Sequence, residues 1–188
     1  MSSTNPDERR TAIIRAVWQV IAEHGMGAVS MRNVAAAAGV SVGQIQYWFT
    51  SKDELLRAGL ETMVSGAAQL HDTATEHADD RETLWQLIGQ SIPRAESSSA
   101  GVSVFHQYIA AAINHPALAR ILADAKNGAE SEVARLLAGI APEVADPHIA
   151  ARALMATADG LTMRVLIGSL SATEAERALR LAVERFTN

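Results

Sequence analysis

Cysteine is absent from this sequence of 188 residues, and aromatic residues are few: three Trp, two Tyr and three Phe. Without cysteine the chain has no disulfide bond, no thiolate nucleophile and no cysteine ligand for zinc. No run of about 18 apolar residues is present, and the opening segment MSSTNPDERR lacks the apolar core of a signal peptide. We therefore expect a cytoplasmic protein that neither crosses a membrane nor is exported.

Two common signatures of enzyme sites are also missing, His-Glu-x-x-His and the phosphate-binding P-loop. The polar stretch HDTATEHADDR, residues 71–81, contains His and Asp residues, but their spacing matches no usual metal site. This composition favours a solvated loop. We expect a protein that is not an enzyme and that uses no metal and no cofactor.

Apolar residues nevertheless make up 48% of the chain, so the core must consist mainly of Ala, Leu, Val and Ile. Such side chains favour closely packed helices, and we predict an all-α fold of about nine helices. The net charge of −5 is uneven, because residues 1–60 hold six Lys and Arg against five Asp and Glu, whereas residues 61–188 hold ten against sixteen. The first part is therefore better suited to meet a polyanion such as DNA, with an affinity that depends on two copies and falls with salt.

Residues 30–56, SMRNVAAAAGVSVGQIQYWFTSKDELL, predict two short helices joined by a tight turn and followed by a third helix. Ser30 caps the first helix, and Gly39 ends it, because glycine adopts the left-handed conformation at low cost. A capping box of Ser41 and Gln44 opens the second helix, and Ser51 with Glu54 opens the next. This is a helix-turn-helix, which we place at about residues 31–50.

The outward face of the second helix carries no formal charge, although it is rich in groups that bind bases. Glutamine side chains bind adenine edges, and Val42 suits a thymine methyl group. Basic residues flank this face, Arg32 before it and Lys52 after it, where phosphates would lie. The outward residues are Val42, Gly43, Gln44, Gln46, Tyr47 and Trp48. An ordinary helical corner that awaits a protein partner would also leave aromatic residues exposed.

The string AGVSVGQIQYWFTSKDELL, with MRNVA before it, resembles the N-terminal domain of the TetR family of bacterial transcriptional regulators. The resemblance covers about residues 8–60. It implies a DNA-binding domain at residues 7–55 and an effector-binding and dimerisation domain at residues 56–188. Its implied roles are base contacts by Arg32, Gln44 and Gln46, and phosphate contacts by Ser41, Tyr47, Trp48 and Lys52.

Downstream, the pattern predicts a long helix from Lys52 to beyond Leu70, a polar boundary at residues 71–81, and a loop at residues 94–100. Further helices are predicted at residues 82–92, 101–114, 117–139, 147–167 and 172–186. The helix at 147–167 is apolar on more than one face, so it must be buried on two sides. We expect the last two helices to pair with their copies in a homodimer. The residues predicted to form that interface are Leu154, Ala158, Leu161, Val165, Leu179, Ala182 and Phe186.

The resemblance further implies a small-molecule effector in the downstream part, and the large apolar and aromatic side chains there suggest one that is mostly apolar. The candidate contacts are Met63, Trp85, Phe105, His106, Tyr108, Met155 and Met163, although such residues at helical spacing are often simply core. We expect a dimeric regulator that binds double-stranded operator DNA and acts as a repressor. An all-helical dimeric adaptor acting only through protein contacts is the alternative.

Overall fold

The computed structural model describes residues 6–187, apart from the side chains of Pro6, Glu96 and Ser97. Within these residues the chain forms nine α-helices and no strand, which confirms the predicted all-α fold. The helices are α1 Pro6–His24, α2 Met31–Ala38, α3 Val42–Trp48, α4 Lys52–Thr75, α5 Asp80–Gly89, α6 Glu96–Ala112, α7 Pro116–Ile140, α8 Pro147–Leu166 and α9 Ala172–Thr187, with a 3-10 turn at Met26–Ala28. None of the helices described here is long and apolar enough to cross a lipid bilayer.

The chain divides into two compact units. The first unit comprises residues 1–65 and 103–122, and the second unit comprises residues 66–102 and 123–188. Leu60 and Tyr108, both beyond residue 55, are 0% exposed in the same core as Ile45. The compact units therefore do not coincide with the functional domains predicted at residues 7–55 and 56–188, which stay a prediction. Helices α4, α6 and α7 each continue from one unit into the other.

The predicted helix ends of the first unit are present. The Ser30 hydroxyl accepts the Asn33 amide at 3.1 Å, and Gly39 ends α2 with a φ of 65°. Both halves of the capping box at the start of α3 form, since the Ser41 hydroxyl accepts the Gln44 amide at 3.2 Å and the Gln44 Oε1 accepts the Ser41 amide at 3.0 Å. These bonds satisfy amides that the first turn of a helix leaves free.

Two predicted loops were wrong in extent. Helix α4 continues to Thr75, so residues 71–75 of the polar stretch are helical, and only residues 76–79 separate it from α5. Helix α6 begins at Glu96 rather than at Gly101, because the serines act at its start. The Ser98 hydroxyl accepts the Ala95 amide at 3.2 Å, and the Ser98 amide donates to the Ala95 carbonyl at 3.1 Å. Serine favours caps as well as loops, and the pattern alone did not separate the two.

The second unit has its own apolar core, in which α8 packs against α9 and α5. Polar pairs join its helices: Lys126 of α7 lies 2.6 Å from Asp159 of α8, and Arg152 of α8 lies 2.7 Å from Glu130 of α7. The guanidinium of Arg180 lies 4.0 Å from the ring centroid of Trp85, and so covers one face of that ring. The core side chains are Leu84, Ile88, Val133, Leu136, Leu137, Ala151, Leu154, Ala158 and Leu179.

In the first unit, α1, α4 and α6 meet at Gly59. The Trp18 indole N–H donates to the Gly59 carbonyl at 3.0 Å, while the Tyr108 hydroxyl approaches the other side of the same residue. A Cβ at position 59 would lie 2.5 Å from that hydroxyl oxygen, so only glycine fits without a shift. Burial raises the pKa of Tyr108 above its ordinary value, and its hydroxyl has no hydrogen-bond partner in the described structure.

We expect Gly59→Ala to lower the free energy of unfolding by about 1–3 kcal/mol, the usual cost of overfilling a core. Gly66→Ala in the same helix is the matched control, because nothing lies within 4 Å of the added Cβ and alanine favours a helix. The double variant Gly59→Ala/Tyr108→Phe should recover most of the loss, because the clashing and unpaired hydroxyl is removed. Chemical denaturation measures all three. Equal stability of Gly59→Ala and Gly66→Ala would contradict the contact.

Candidate nucleic-acid interface

Helix α3, which we call the reading helix, packs its inner side against the core of the first unit and leaves its other sides exposed. Ile45 is 0% exposed and Phe49, just after the helix, is 2% exposed, and both pack in the core of the first unit. Val34 of α2 belongs to the same core. Because a helix of seven residues is not stable alone in water, these contacts and the capping box fix its position. The outer side, which we call the reading face, is then free to contact a partner.

The structure leaves eight of the nine predicted DNA-binding side chains exposed. Tyr47 is 80% exposed and Val42 37% exposed, and Gly43 has room around it. Trp48 is the exception, since it is half-buried against the core, with its ring at 5.1 Å from that of Tyr47 in an edge-to-face arrangement. The other exposed members are Arg32, Ser41, Gln44, Gln46 and Lys52.

The two glutamines of this face are not equivalent. The Oε1 of Gln44 accepts the Ser41 amide in the capping box, so only its NH2 group remains for a base. Bidentate recognition of adenine needs both the amide oxygen and the NH2 group. Gln46 has both groups available among residues 6–187. We therefore predict bidentate base reading by Gln46 and a mixed capping and contact role for Gln44.

Cations beside the reading helix are not neutralised by the chain. In the described part of the protein, neither Arg32 nor Lys52 has a carboxylate within ion-pair distance, and both are exposed. The nearby Glu54 is engaged elsewhere, because its carboxylate accepts the Thr50 amide at 2.7 Å and the Thr50 hydroxyl at 2.9 Å. The bonds from the Thr50 backbone and hydroxyl hold the pKa of Glu54 below its ordinary value. The positive charges are thus available to phosphates.

The Thr50 contact corrects the predicted capping box at the start of α4. The Glu54 amide donates to the Ser51 hydroxyl at 3.2 Å as predicted, but the carboxylate reaches back to Thr50 rather than to Ser51. Sequence reasoning also missed Arg10, whose guanidinium lies 5.5 Å from the ring centroid of Phe49. This contact joins α1 to the residue after α3. Its two residues are 39 positions apart in the sequence, and no local sequence pattern predicts such a contact.

Residues 39–43, GVSVG, match the Gly-x-Ser-x-Gly pattern of hydrolases, which our sequence reasoning overlooked. In those enzymes the serine lies on a sharp turn between a strand and a helix, with an exposed nucleophilic oxygen. Here Ser41 follows helix α2, and its hydroxyl accepts the amide of Gln44. In this chain the serine of the pattern, Ser41, therefore caps a helix and does not act as a nucleophile.

Comparison with known proteins agrees with this geometry. Residues 13–58 match the model of bacterial regulatory proteins of the tetR family, and residues 80–188 match that of the C-terminal part of BetI-type transcriptional repressors. The chain belongs to the TetR family. It is accordingly a DNA-binding transcriptional regulator of the repressor type and not an enzyme, as we predicted.

Full-length relatives have the same architecture. The transcriptional regulator BetI of Stenotrophomonas maltophilia is 29% identical over 178 residues, covering 93% of this chain and 89% of that protein. A TetR-family regulator from Rhodococcus sp. superposes with a TM-score of 0.87 at 26% identity, covering 96% of this chain and 100% of the other. A transcriptional regulator from Saccharomonospora viridis, crystallised with choline, gives a TM-score of 0.85 at 25% identity, covering 96% and 97%.

Two residues that we predicted as effector contacts of this TetR-family chain have other surroundings. Tyr108 is 0% exposed in the core of the first unit, against Gly59. Met163 is 45% exposed on the outer side of α8. The remaining candidates are half-buried, namely Met63, Phe105 and His106 on the first unit and Trp85 and Met155 on the second. An open cleft of the second unit, at Val144, Ile149 and Phe186, contains none of these candidates.

The seven residues predicted for the dimer interface fall into two groups, one fully buried and one half-buried. Leu154, Ala158 and Leu179 are at most 3% exposed and fill the core of the second unit, so they offer no surface to a second chain. The periodicity had identified them as apolar without showing which neighbour covers them. The other four members, Leu161, Val165, Ala182 and Phe186, are half-buried around that core.

We expect Gln46→Ala to relax the preference of the protein at one A·T pair of its operator by about 1–3 kcal/mol, because a bidentate contact is lost. Gln44→Ala is the comparison, since it removes half of a capping box and should weaken binding to all duplexes, with a smaller position-specific part than Gln46→Ala. Titration of both variants against operator duplexes with single base-pair changes measures the difference. A position-specific loss with Gln44→Ala and a uniform loss with Gln46→Ala would contradict our assignment.

Proposed function

We propose that the protein is a homodimeric repressor that reads operator DNA with α3 and releases it when a small effector binds. The observation that carries the DNA-binding role is the exposed, uncharged face of α3, with the free amide of Gln46 between the unpaired cations Arg32 and Lys52. An uncharged polar surface suits base edges, and flanking cations suit the phosphates on either side. We place this activity in the cytoplasm, where bacterial DNA lies.

The dimer surface that we propose is the outer side of α8 together with α9. The residues at 149, 153, 156, 160 and 163 of α8, and at 167 just after it, are all exposed, apolar or glycine. They follow each other at spacings of four and three, so they line one side of the helix. Ile149 is 56% exposed, Ile167 68%, and Leu181 of α9 57%. An apolar stripe of this length is a mark of an interface. It replaces the buried positions Leu154, Ala158 and Leu179 in our prediction.

The effector that we propose is mostly apolar. Choline, bound by the relative from Saccharomonospora viridis, is a quaternary ammonium ion, and such ions bind over aromatic faces. In this chain the candidate ring is that of Trp85, one face of which is already covered by the Arg180 guanidinium at 4.0 Å. Choline on that face would therefore have to compete with an internal cation. An apolar compound beside Trp85 and Met155 would leave that pair in place.

A band-shift experiment with the promoter region beside the gene tests the DNA-binding role. We expect a complex whose affinity falls linearly with salt on logarithmic axes, because phosphate contacts release counterions. The measurement is repeated with choline and with a set of apolar metabolites and drugs, and an effector should release the duplex. The absence of any complex with this region or with random duplexes at low salt would favour the adaptor alternative. Release by choline alone would overturn the apolar effector.

Met163→Glu tests the dimer surface. A carboxylate within the stripe would meet the apolar surface of the second copy, so we expect monomers and a loss of operator binding. Leu70→Glu is the matched control, since Leu70 is 74% exposed in the second unit but belongs to α4 and not to α8 or α9. Sedimentation equilibrium gives the mass. A Met163→Glu dimer as tight as the wild-type dimer would rule out this surface.

A further inference from the structure

A single side chain of α6 holds the connection between α1 and α2. The Gln107 Nε2 donates to the Ile21 carbonyl at 3.2 Å, and the Gln107 Oε1 accepts the Met26 amide at 3.0 Å. One planar amide thus bonds to the last turns of α1 and to the first residue of the 3-10 turn. The contact spans 81 positions of sequence, and all its members lie in the first unit.

The connection does not satisfy this amide by itself. The 3-10 turn at Met26–Ala28 has no side-chain cap of its own, and Gly25 before it has a φ of 81°. Without Gln107 the Met26 amide would lose its partner in a half-buried position. Backbone amides left unpaired in such places are costly, so the conformation of the connection depends on a residue outside it.

The other end of the connection leads directly to the reading helices. The Asn33 Nδ2, on α2, donates to the Ala28 carbonyl at 2.7 Å, and Val29 between them is 1% exposed. Helix α2 also packs against α1, and Gly39 passes the chain on to α3 after a tight turn. The direction in which α2 leaves this connection therefore determines where the face of α3 points.

We propose that Gln107 is a positioning residue for DNA binding: its amide sets the geometry of the α1–α2 connection and, through it, the orientation of the reading face. Gln107 is distant in sequence from every predicted DNA contact, and its side chain bonds to the Met26 amide and the Ile21 carbonyl. The proposal rests on the proposed function in one respect, since its consequence is measured as DNA affinity. The hydrogen bonds themselves are measured without DNA.

Gln107→Met tests the proposal, because methionine is similar in length but makes neither bond. We expect the Met26 amide to exchange with solvent faster by about tenfold and the affinity per folded molecule to fall by about tenfold, the size expected for one or two lost hydrogen bonds. The probe is a duplex selected from a random library by the wild-type protein. Gln107→Glu keeps the acceptor for Met26 but loses the donor to Ile21, and should give a smaller loss of affinity.

Gln90→Met is the matched control, since within the described residues the Gln90 side chain bonds only to the carbonyl of Leu87, three positions before it in the second unit. It should leave both readouts at their wild-type values. A lower melting temperature of Gln107→Met with unchanged affinity per folded molecule would show a merely structural role and overturn the proposal, as would unchanged exchange at Met26. If the wild-type protein selects no duplex, the proposed function fails, and the positioning role fails with it.

Discussion

The structure depends on one constraint: a helix of seven residues must be held firmly while most of its surface stays uncovered. Helix α3 meets this constraint with two apolar anchors, Ile45 and Phe49, and with a capping box at its start. The anchors pack into a core to which α1, α2, α4 and the second half of α6 contribute. A larger buried share of α3 would stabilise it further, but it would remove side chains from the reading face. The rest of the first unit therefore supplies what α3 lacks.

Because of the same constraint, some polar groups of this region hydrogen-bond to the backbone, while others stay free to contact DNA. A side chain that satisfies a backbone amide has less to offer a base, as the Oε1 of Gln44 shows. Glu54 bonds to Thr50 and so does not draw Lys52 away from phosphates. Gln107 and Asn33 hold the connection before α2 from two sides. Among the predicted DNA contacts, Arg32, Gln46 and Lys52 have side chains without a structural bond in the described part of the chain.

The sequence allowed us to predict the features that depend on neighbours within a few residues. The caps at Ser30 and Ser41, the left-handed Gly39 and the proline-led start of α8 each involve spacings of two to four positions. The motif of the reading helix and its family were predicted in the same way. The start of α6 was not, because the serines of residues 97–99 suit a helix start as well as a loop.

Contacts between distant positions were beyond such reasoning. Helical periodicity marked Tyr108 as a large inward residue, but not that it would lie against Gly59. It marked Leu154 and Leu179 as apolar, but not that they would pack on each other's helices within one chain. Gln107 carries no sequence signal at all, because a glutamine on a helix is usually solvated. In each case the missing information is the identity of the neighbour, which only the fold supplies.

On helix α8, the burial of the side chains and the pairing of the charges together indicate the role of an exposed apolar surface. Its inner side is fully covered by the second unit, yet an apolar stripe remains outside, with Ala153, Ala156 and Gly160 between the larger ends. Small residues allow a second helix to approach closely, which a merely solvated face does not require.

Two of the charges beside the stripe are neutralised within the chain, since Arg152 pairs with Glu130 and Asp159 with Lys126, while the third, Arg164, bonds to the Ser169 hydroxyl. An ion pair within the chain lowers the cost of covering these two groups with a second chain, because neither is left without a counter-charge. The apolar stripe and its paired charges therefore both support the proposed dimer surface.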